Sequence, residues 1–333
     1  MSDKSTLRRN ITTGRWVIYA PSRGHRPHDF AKEDKKKRAL PSHDQNCPFC
    51  PGNEKALLSV LYQMPSNDPP GWKTRVVPNK FPALTVDGNP ERKSDGIYLY
   101  MEGYGEHEVI IESPQHDIDI AAMSPQEVLA VVKTYSSRYR HLRSFHKNMM
   151  IILFRNHGPT AGTSLIHPHS QIIVTSFVPQ HVRLREVIAQ RHYDTWGRCL
   201  YCDIIRQETS DGRRLVAEND HFLTFVPFAA EVPFEMWIMP KAHQADFGDI
   251  SEEEEEGLSV ALQNALRSLR EKLGDPDYNF VINSSPQYRG GEPHLHWHLR
   301  IMPRLTTPAG FEIGSGVTIN PSLPEVDAAF LRA

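Results

Sequence analysis

Long hydrophobic runs are missing from this sequence. No apolar stretch approaches the roughly 20 residues that a membrane-spanning helix needs. The N-terminal MSDKSTLRRN also lacks the apolar core of a secretory signal. Charge of one sign is scarce too: 38 Lys and Arg face 40 Asp and Glu, for a net charge of −2. That balance gives no general attraction to nucleic acid or anionic lipid. These absences set the expectation of a cytoplasmic protein with no membrane and no nucleic-acid partner. Cysteine is sparse, with four in 333 residues, and the length points to about two compact units.

The four cysteines are not scattered. They form CPFC (47–50) and CLYC (199–202), 152 positions apart. In a reducing compartment, paired C-x2-C units point to metal rather than to disulfides. A thioredoxin-like redox pair is the competing reading. One pair would suffice for it, however, and neither pair clearly joins a strand to a helix.

The segments C-terminal to the two pairs are similar. After CPFC come VVPNKFPAL, a strand-like HEVIIESPQHD ending near His116, a helical MSPQEVLAVVKTYSSRYRHLR, the apolar MMIILFRN and then HPH. After CLYC come LTFVPFAAEVP, FEMWIMPKAHQ with His243, a helical ISEEEEEGLSVALQNALRSLREKL, YNFVINSSP and then HLHWHLRIMP. His116 to His167 spans 51 residues and His243 to His296 spans 53. A fixed order at matched spacing indicates duplication of one unit. Each half is expected to be α+β, with helices packed on a mostly antiparallel sheet. The halves divide as 1–180 and 181–333.

Local signals support the two long helices. Ser124, Pro125 and Glu127 read as N-cap, first-turn proline and capping-box acid. Ser251 and Glu254 read the same way, and the acidic run Glu252–Glu256 suits the positive end of a helix dipole. That run is expected to be a solvated helix face. The N-terminal arm 23–40, with its Lys35–Arg38 cluster, reads as a charged surface segment. The Gly- and Pro-rich stretch from Pro308 closes the chain.

A closed zinc site takes four soft or borderline ligands at tetrahedral corners. Cys47, Cys50, His116 and His167 supply such a set in the first half, and Cys199, Cys202, His243 and His296 in the second. Each ion would tie a local cysteine knuckle to distant strand ends. His107, His157 and His294 are alternatives, and HLHWHL offers His294, His296 and His298 on one strand face. The repeat favours His296, because it matches His167.

The run GPTAGTSLIHPHSQ (158–171) carries a different chemistry. In a strand, His167 and His169 point to the same side. With His167 given to metal, the His169 imidazole is free to act as a nucleophile and leaving group. GPTAGTS offers small residues that let a phosphate approach the backbone. Gln171, on the same face, can donate to a phosphate oxygen as charge shifts. Phosphoryl or nucleotidyl transfer is the reaction class this describes.

CPFC, PNKFPAL, ESPQH, FRNHGPTAGTS and HPHSQ together resemble the galactose-1-phosphate uridylyltransferase family of the histidine-triad superfamily, over nearly the whole chain. The resemblance implies two histidine-triad-like halves in one subunit, a homodimer, and a nucleotide sugar with a hexose 1-phosphate as substrates. It implies His169 as the covalently nucleotidylated nucleophile, Gln171 as its phosphate-orienting partner and Ser164 as a phosphate contact. Arg23, Arg26, Asn79, Asn156, Gly162 and Thr163 fall around the nucleotide and phosphates, and Gly310, Phe311 and Glu312 near the sugar. His167 is implied as a zinc ligand with Cys47, Cys50 and His116; the second site takes zinc or iron. Two features depart from the family pattern: Ser170 replaces a usual glycine, and GFEIGSGVTINP (310–321) is similar to the ending of ADP-glucose phosphorylase, which passes an adenylyl group to phosphate. The uridylyl exchange between UDP-glucose and galactose 1-phosphate is the leading expectation, with that phosphorolysis or a histidine-triad hydrolase as alternatives. A zinc-finger nucleic-acid binder is disfavoured, since the ligands spread over some 120 residues and the charge is slightly negative. A purely structural metalloprotein would leave GPTAGTS and Gln171 without a purpose.

Overall fold

The computed structural model describes residues 4–23, 40–146 and 149–332. Arg26, the side chain of Arg23 and the Lys35–Arg38 cluster lie outside the described residues. The first half lays down β1 (Thr6–Arg9), β2 (Trp16–Tyr19), β3 (Tyr62–Pro65), β4 (Trp72–Pro78), β5 (Lys93–Asp95), β6 (Tyr98–Tyr100), β7 (Gly105–Ile111), α1 (Pro125–Phe145), β8 (Met150–His157) and β9 (His169–Thr175). The helices α2 (Gln180–Trp196) and α3 (Leu200–Asp211) come next, then β10 (Leu215–Glu218), β11 (Phe222–Phe225), β12 (Met236–Pro240), α4 (Glu252–Leu273), β13 (Tyr278–Asn283) and β14 (His298–Pro303). The Gly- and Pro-rich ending is not merely a loop. It forms α5 (Gly310–Ser315), β15 (Thr318–Asn320) and α6 (Pro324–Arg332).

Ten strands make one antiparallel sheet in the order β10-β11-β12-β14-β13-β8-β9-β7-β4-β3. The order is mirrored about the β13–β8 pair: β8, β9, β7, β4, β3 run outward on one side and β13, β14, β12, β11, β10 on the other. This is the repeat seen in the sequence, now written as strand neighbours. The expected α+β class with antiparallel pairing holds in both halves. β15 joins β2 in parallel at the edge of a separate three-stranded sheet, so the last residues are anchored to the first.

The two long helices α1 and α4 pack side by side on one face of the large sheet. Val128, Val131, Tyr135, Tyr139 and Leu142 of α1 recur at three- and four-residue spacing, as do Leu258, Leu262, Leu266 and Leu269 of α4. All are buried against Ile110, Leu153, Ile172 and Phe280 of the sheet. Each such apolar side chain contributes roughly 1.5–3 kcal/mol on leaving water. Both helices begin with the capping box read from sequence: Ser124 accepts from the Glu127 N–H and Ser251 from the Glu254 N–H, and each Glu returns the bond.

The acidic run differs from expectation. Glu254 and Glu255 are buried, not solvated. Glu254 accepts two bonds from the Gln244 amide (2.8 and 2.7 Å). Glu255 accepts from the Ser136 hydroxyl (2.5 Å) and from Arg140 (3.1 Å), both on α1. The run is therefore solvated at Glu252, Glu253 and Glu256, while Glu254 holds the β12–α4 connection and Glu255 clamps the paired helices. Composition could not separate the two, because the clamp partners on α1 lie more than 100 positions away. No helix among the described residues is long and apolar enough to cross a membrane.

Candidate functional site

The opposite face of the sheet carries the chemistry. Side chains alternate along β9, so His169 and Gln171 face this side while Ser170, Ile172 and Val174 face the helices. A small apolar cluster of Phe49, Trp72, Val77, Val109 and Ile111 seats the CPFC knuckle here. Within the knuckle, the Asn53 side chain donates to the Cys47 carbonyl (2.7 Å) and the Asp44 N–H points at the Cys50 sulfur (3.3 Å).

Cys47, Cys50, His116 and His167 converge with their ligand atoms within 4.8 Å of one another, all four buried. Cys50 Sγ lies 3.5 Å from His116 Nδ1 and 3.6 Å from His167 Nδ1, and Cys47 Sγ lies 3.7 Å from His167 Nδ1. A tetrahedral zinc with ordinary bond lengths sets sulfur and nitrogen about 3.6 Å apart. The His167 Nε2–H donates to the Ser113 carbonyl (2.8 Å), leaving Nδ1 as the ligand atom. Burial pushes the Cys47 thiol up to about 11, a cost that a bound cation would remove. The donor set fits a structural zinc with no position left for water.

The second set repeats the geometry. Cys202 Sγ lies 3.4 Å from His243 Nδ1 and 3.6 Å from His296 Nδ1, and the His296 Nε2–H donates to the Pro240 carbonyl (2.9 Å). Cys199 completes the group, within which His243 is exposed. Neither His294 nor His298 belongs to it, and His107 belongs to no such group, whereas His157 stands with Asp119 and Asp275 in a third cluster of possible ligand atoms lining the cavity described next.

His169 is 7 % exposed at the start of β9 and opens into a cavity of about 610 Å³. Its Nδ1 lies 2.8 Å from the His167 carbonyl, which can only accept, so Nδ1 carries the proton. Nε2 then presents a lone pair, with no hydrogen-bond partner among the described residues. Burial holds the imidazole below its ordinary pKa, so it is neutral near pH 7. The Phe49 ring meets it edge-on at 5.5 Å. Protonation state and tautomer are those of a nucleophile.

The same cavity is lined by Asn156, Gly158, Thr163 and Ser164. Asn156 Oδ1 is occupied by the Asn279 amide (2.8 Å). The Ser164 hydroxyl is without a partner among the described residues. Gly162 sits beside the cavity in a left-handed turn with φ +88°. Asn79 and Gln171 lie outside the cavity lining and touch each other at 3.4 Å, a short way along the same face. Gly310, Phe311 and Glu312 are not brought to this cavity. Phe311 is exposed, and Glu312 accepts from the Ala309 and Ile319 N–H groups.

Two supports escaped the sequence reading. Asp277 grips the small-residue loop GPTAGTS, accepting from the Thr160 N–H at 2.7 Å and from its hydroxyl. A Cβ on Gly158 would lie 2.0 Å from the Asp277 carboxylate, and the backbone there has φ +84°. Gly158→Ala is therefore expected to displace the loop, lowering activity about tenfold or more with a destabilisation of about 1–3 kcal/mol. Steady-state kinetics beside thermal melts would check this.

The second support is a buried network under β9. Glu112 accepts from the Tyr135 hydroxyl (2.7 Å), from Arg155 Nε (3.0 Å) and from the Ser170 hydroxyl. Ser170 is thus a donor to a fully buried carboxylate. Ser170→Gly should leave Glu112 one donor short and cost about 1–3 kcal/mol, read as a lowered denaturant midpoint. The glutamate that ends the short apolar run VIIE (109–112) was the available signal.

Among the described residues, the mirrored half shows no equivalent opening at the matching histidine. His298 begins β14 as His169 begins β9, and Tyr201 packs near it at 5.4 Å as Phe49 packs near His169. Arg300, in the place of Gln171, is engaged by Glu231 (2.9 Å) and Glu235 (2.7 Å). Arg185 and Val182 of α2 line the remaining space, about 30 Å³, which is room for little more than water.

Residues 1–179 match the galactose-1-phosphate uridyl transferase N-terminal domain and residues 181–306 its C-terminal domain. The chain is 34% identical to an ADP-glucose phosphorylase of Arabidopsis thaliana, over 98% of this chain and 92% of that protein. It is 30% identical to a galactose-1-phosphate uridylyltransferase of Haemophilus influenzae, over 88% of this chain and 81% of that one. The crystal structure of the Arabidopsis thaliana ADP-glucose phosphorylase with bound ADP-glucose superposes with a TM-score of 0.81 at 31% identity, covering 99% of this chain and 98% of that one. The chain therefore belongs to the galactose-1-phosphate uridyl transferase family.

Proposed function

We propose that this protein moves a nucleotidyl group from a nucleotide sugar to a phosphate-bearing acceptor through a covalent bond to His169. The observation that carries the reading is the His169 imidazole, with Nδ1–H on the His167 carbonyl and Nε2 open to the large cavity. Nε2 attacks the α-phosphorus, the bond to the bridging oxygen breaks, and hexose 1-phosphate leaves. An acceptor phosphate oxygen then attacks the same phosphorus and the neutral imidazole departs. The His167 carbonyl stabilises positive charge on the ring while the N–P bond exists. Gln171 donates to the α-phosphate, and Ser164, Thr163, Gly162 and Asn156 receive the phosphates. Exclusion of competing water protects the intermediate.

Zinc, where bound, holds His167 and so anchors the start of β9; its ligands are Cys47, Cys50, His116 and His167. We assign the second zinc, or iron, to Cys199, Cys202, His243 and His296. We divide the chain into a first half, 1–180, with the catalytic run and the first metal site, and a second half, 181–333, with the second metal site. Because residues 310–312 lie away from the cavity within one chain, we place them at the sugar of a second copy, in a homodimer. Cytoplasmic location is part of the same reading.

The first substrate pair is UDP-glucose with galactose 1-phosphate, as the family assignment favours. A second pair, ADP-glucose with inorganic phosphate, is favoured by the 34% identity over 92% of the phosphorylase. The test is a half-reaction without acceptor, using each nucleotide sugar labelled at the α-phosphate. Label from UDP-glucose supports the first pair, and label from ADP-glucose alone the second. No label from either overturns the mechanism.

A further inference from the structure

One partly buried histidine on the site face takes no part in metal binding or in the transfer step: His107 on β7, beside the PNKFPAL segment. We propose that His107, locked by residues 79–83, is a positioning residue that fixes which end of the Gln171 amide faces the substrate phosphate. This rests on the reading of Gln171 as a phosphate donor.

The backbone sets the tautomer. The Ala83 N–H donates to His107 Nδ1 (3.1 Å), and an amide N–H cannot accept. Nδ1 is therefore the bare nitrogen, and Nε2 carries the proton. That Nε2–H donates to Gln171 Oε1 at 2.8 Å. Burial holds the His107 pKa below its ordinary value, so the ring stays neutral and keeps a single N–H.

Asn79 adds a second restraint. Its Oδ1 accepts from the Phe81 N–H (2.9 Å), which turns its Nδ2 toward Gln171 Oε1 (3.4 Å). The Asn79 N–H also donates to the His107 carbonyl (2.8 Å), tying the segment to β7. Two donors thus converge on the oxygen of Gln171, their nitrogens side by side at 3.1 Å. The Gln171 amide nitrogen has no partner among the described residues and stands on the same face as His169, two residues along. Reversed, the amide would point a carbonyl oxygen at an anionic phosphate. Each ring nitrogen has one fixed role, which leaves a single arrangement.

The test combines one spectroscopic and one kinetic reading on the zinc-loaded protein. Imidazole ¹⁵N shifts of His107 should report the Nε2–H tautomer near neutral pH. His107→Ala should slow nucleotidyl-His169 formation about tenfold, against about 10²-fold for Gln171→Ala. Nucleotide-sugar affinity and melting temperature should change little. The double variant should be no slower than Gln171→Ala alone, because His107 acts only through that amide. His107→Gln, which can accept from Ala83 and donate to Gln171, should recover part of the loss.

An Nδ1–H tautomer, or losses that multiply in the double variant, would overturn the proposal. So would unchanged labelling in Gln171→Ala. Absence of labelling in the unaltered protein would instead defeat the functional reading, and the tautomer measurement would still decide the role of His107.

Discussion

His169→Ala protein incubated with α-labelled UDP-glucose or ADP-glucose is expected to carry no acid-labile label, and turnover should fall by roughly 10⁴-fold or more. The size of the effect comes from the role. No other side chain on the described face of β9 combines a free imidazole nitrogen with access to the cavity. His167 Nε2 is spent on the Ser113 carbonyl and its Nδ1 faces the cysteines. The substitution should leave the fold intact, since the ring's one internal bond goes to a carbonyl that water can satisfy. Metal content and the far-ultraviolet circular dichroism spectrum should therefore match the unaltered protein. His169→Gly tests the same point from another side. Added imidazole should enter the vacated space and restore part of the label turnover. A labelled alanine variant would mean that the nucleophile lies elsewhere.

The second large effect concerns metal. Cys50→Ser is expected to lose the ion of the first site and nearly all activity, whereas Cys202→Ser should lose the ion of the second site and keep a substantial part of it. The asymmetry comes from the residues that each knuckle holds. Cys50 faces both His116 and His167, and His167 supplies the carbonyl that sets the His169 tautomer. Loss of the first ion therefore reaches the nucleophile through two covalent neighbours. The second cluster fixes His296, which leads only to the closed space at His298. Structural zinc in small knuckles is worth about 10–16 kcal/mol of apparent binding free energy. Removal of either ion should thus also lower the melting temperature. Elemental analysis with activity on the same samples would read both effects. Equal activity loss from the two variants would refute the division of labour between the halves.

Particular residues show how much could be read before any coordinates. Both Cys2His2 sets, both capping boxes and the duplication were legible, because each depends on residue type at short or repeated spacing. His296 could be chosen over His294 and His298 only by matching the repeat, and the geometry agrees. The role of Ser170 was not legible. In sequence it is a deviation from glycine; in space it is a donor to Glu112, which is 58 positions away.

The sequence by itself determined the chemistry available: two metal sets, one H-P-H-x-Q run, a small-residue loop and two similar halves. Only the tertiary structure decided which of two mirrored histidines opens into a cavity. His169 and His298 occupy mirrored strand starts, each two residues beyond a metal-set histidine. One opens into about 610 Å³ and the other into about 30 Å³. That difference comes from α2 packing over the second half and from Arg300 being held by Glu231 and Glu235. The orientation of Gln171 was likewise invisible, since it depends on hydrogen bonds from Asn79 and His107, 92 and 64 positions away. Local pattern decides which groups exist, because propensity and ligand spacing act over a few residues. Access, tautomer and amide orientation depend on contacts between residues far apart in the chain, and folding alone brings those together.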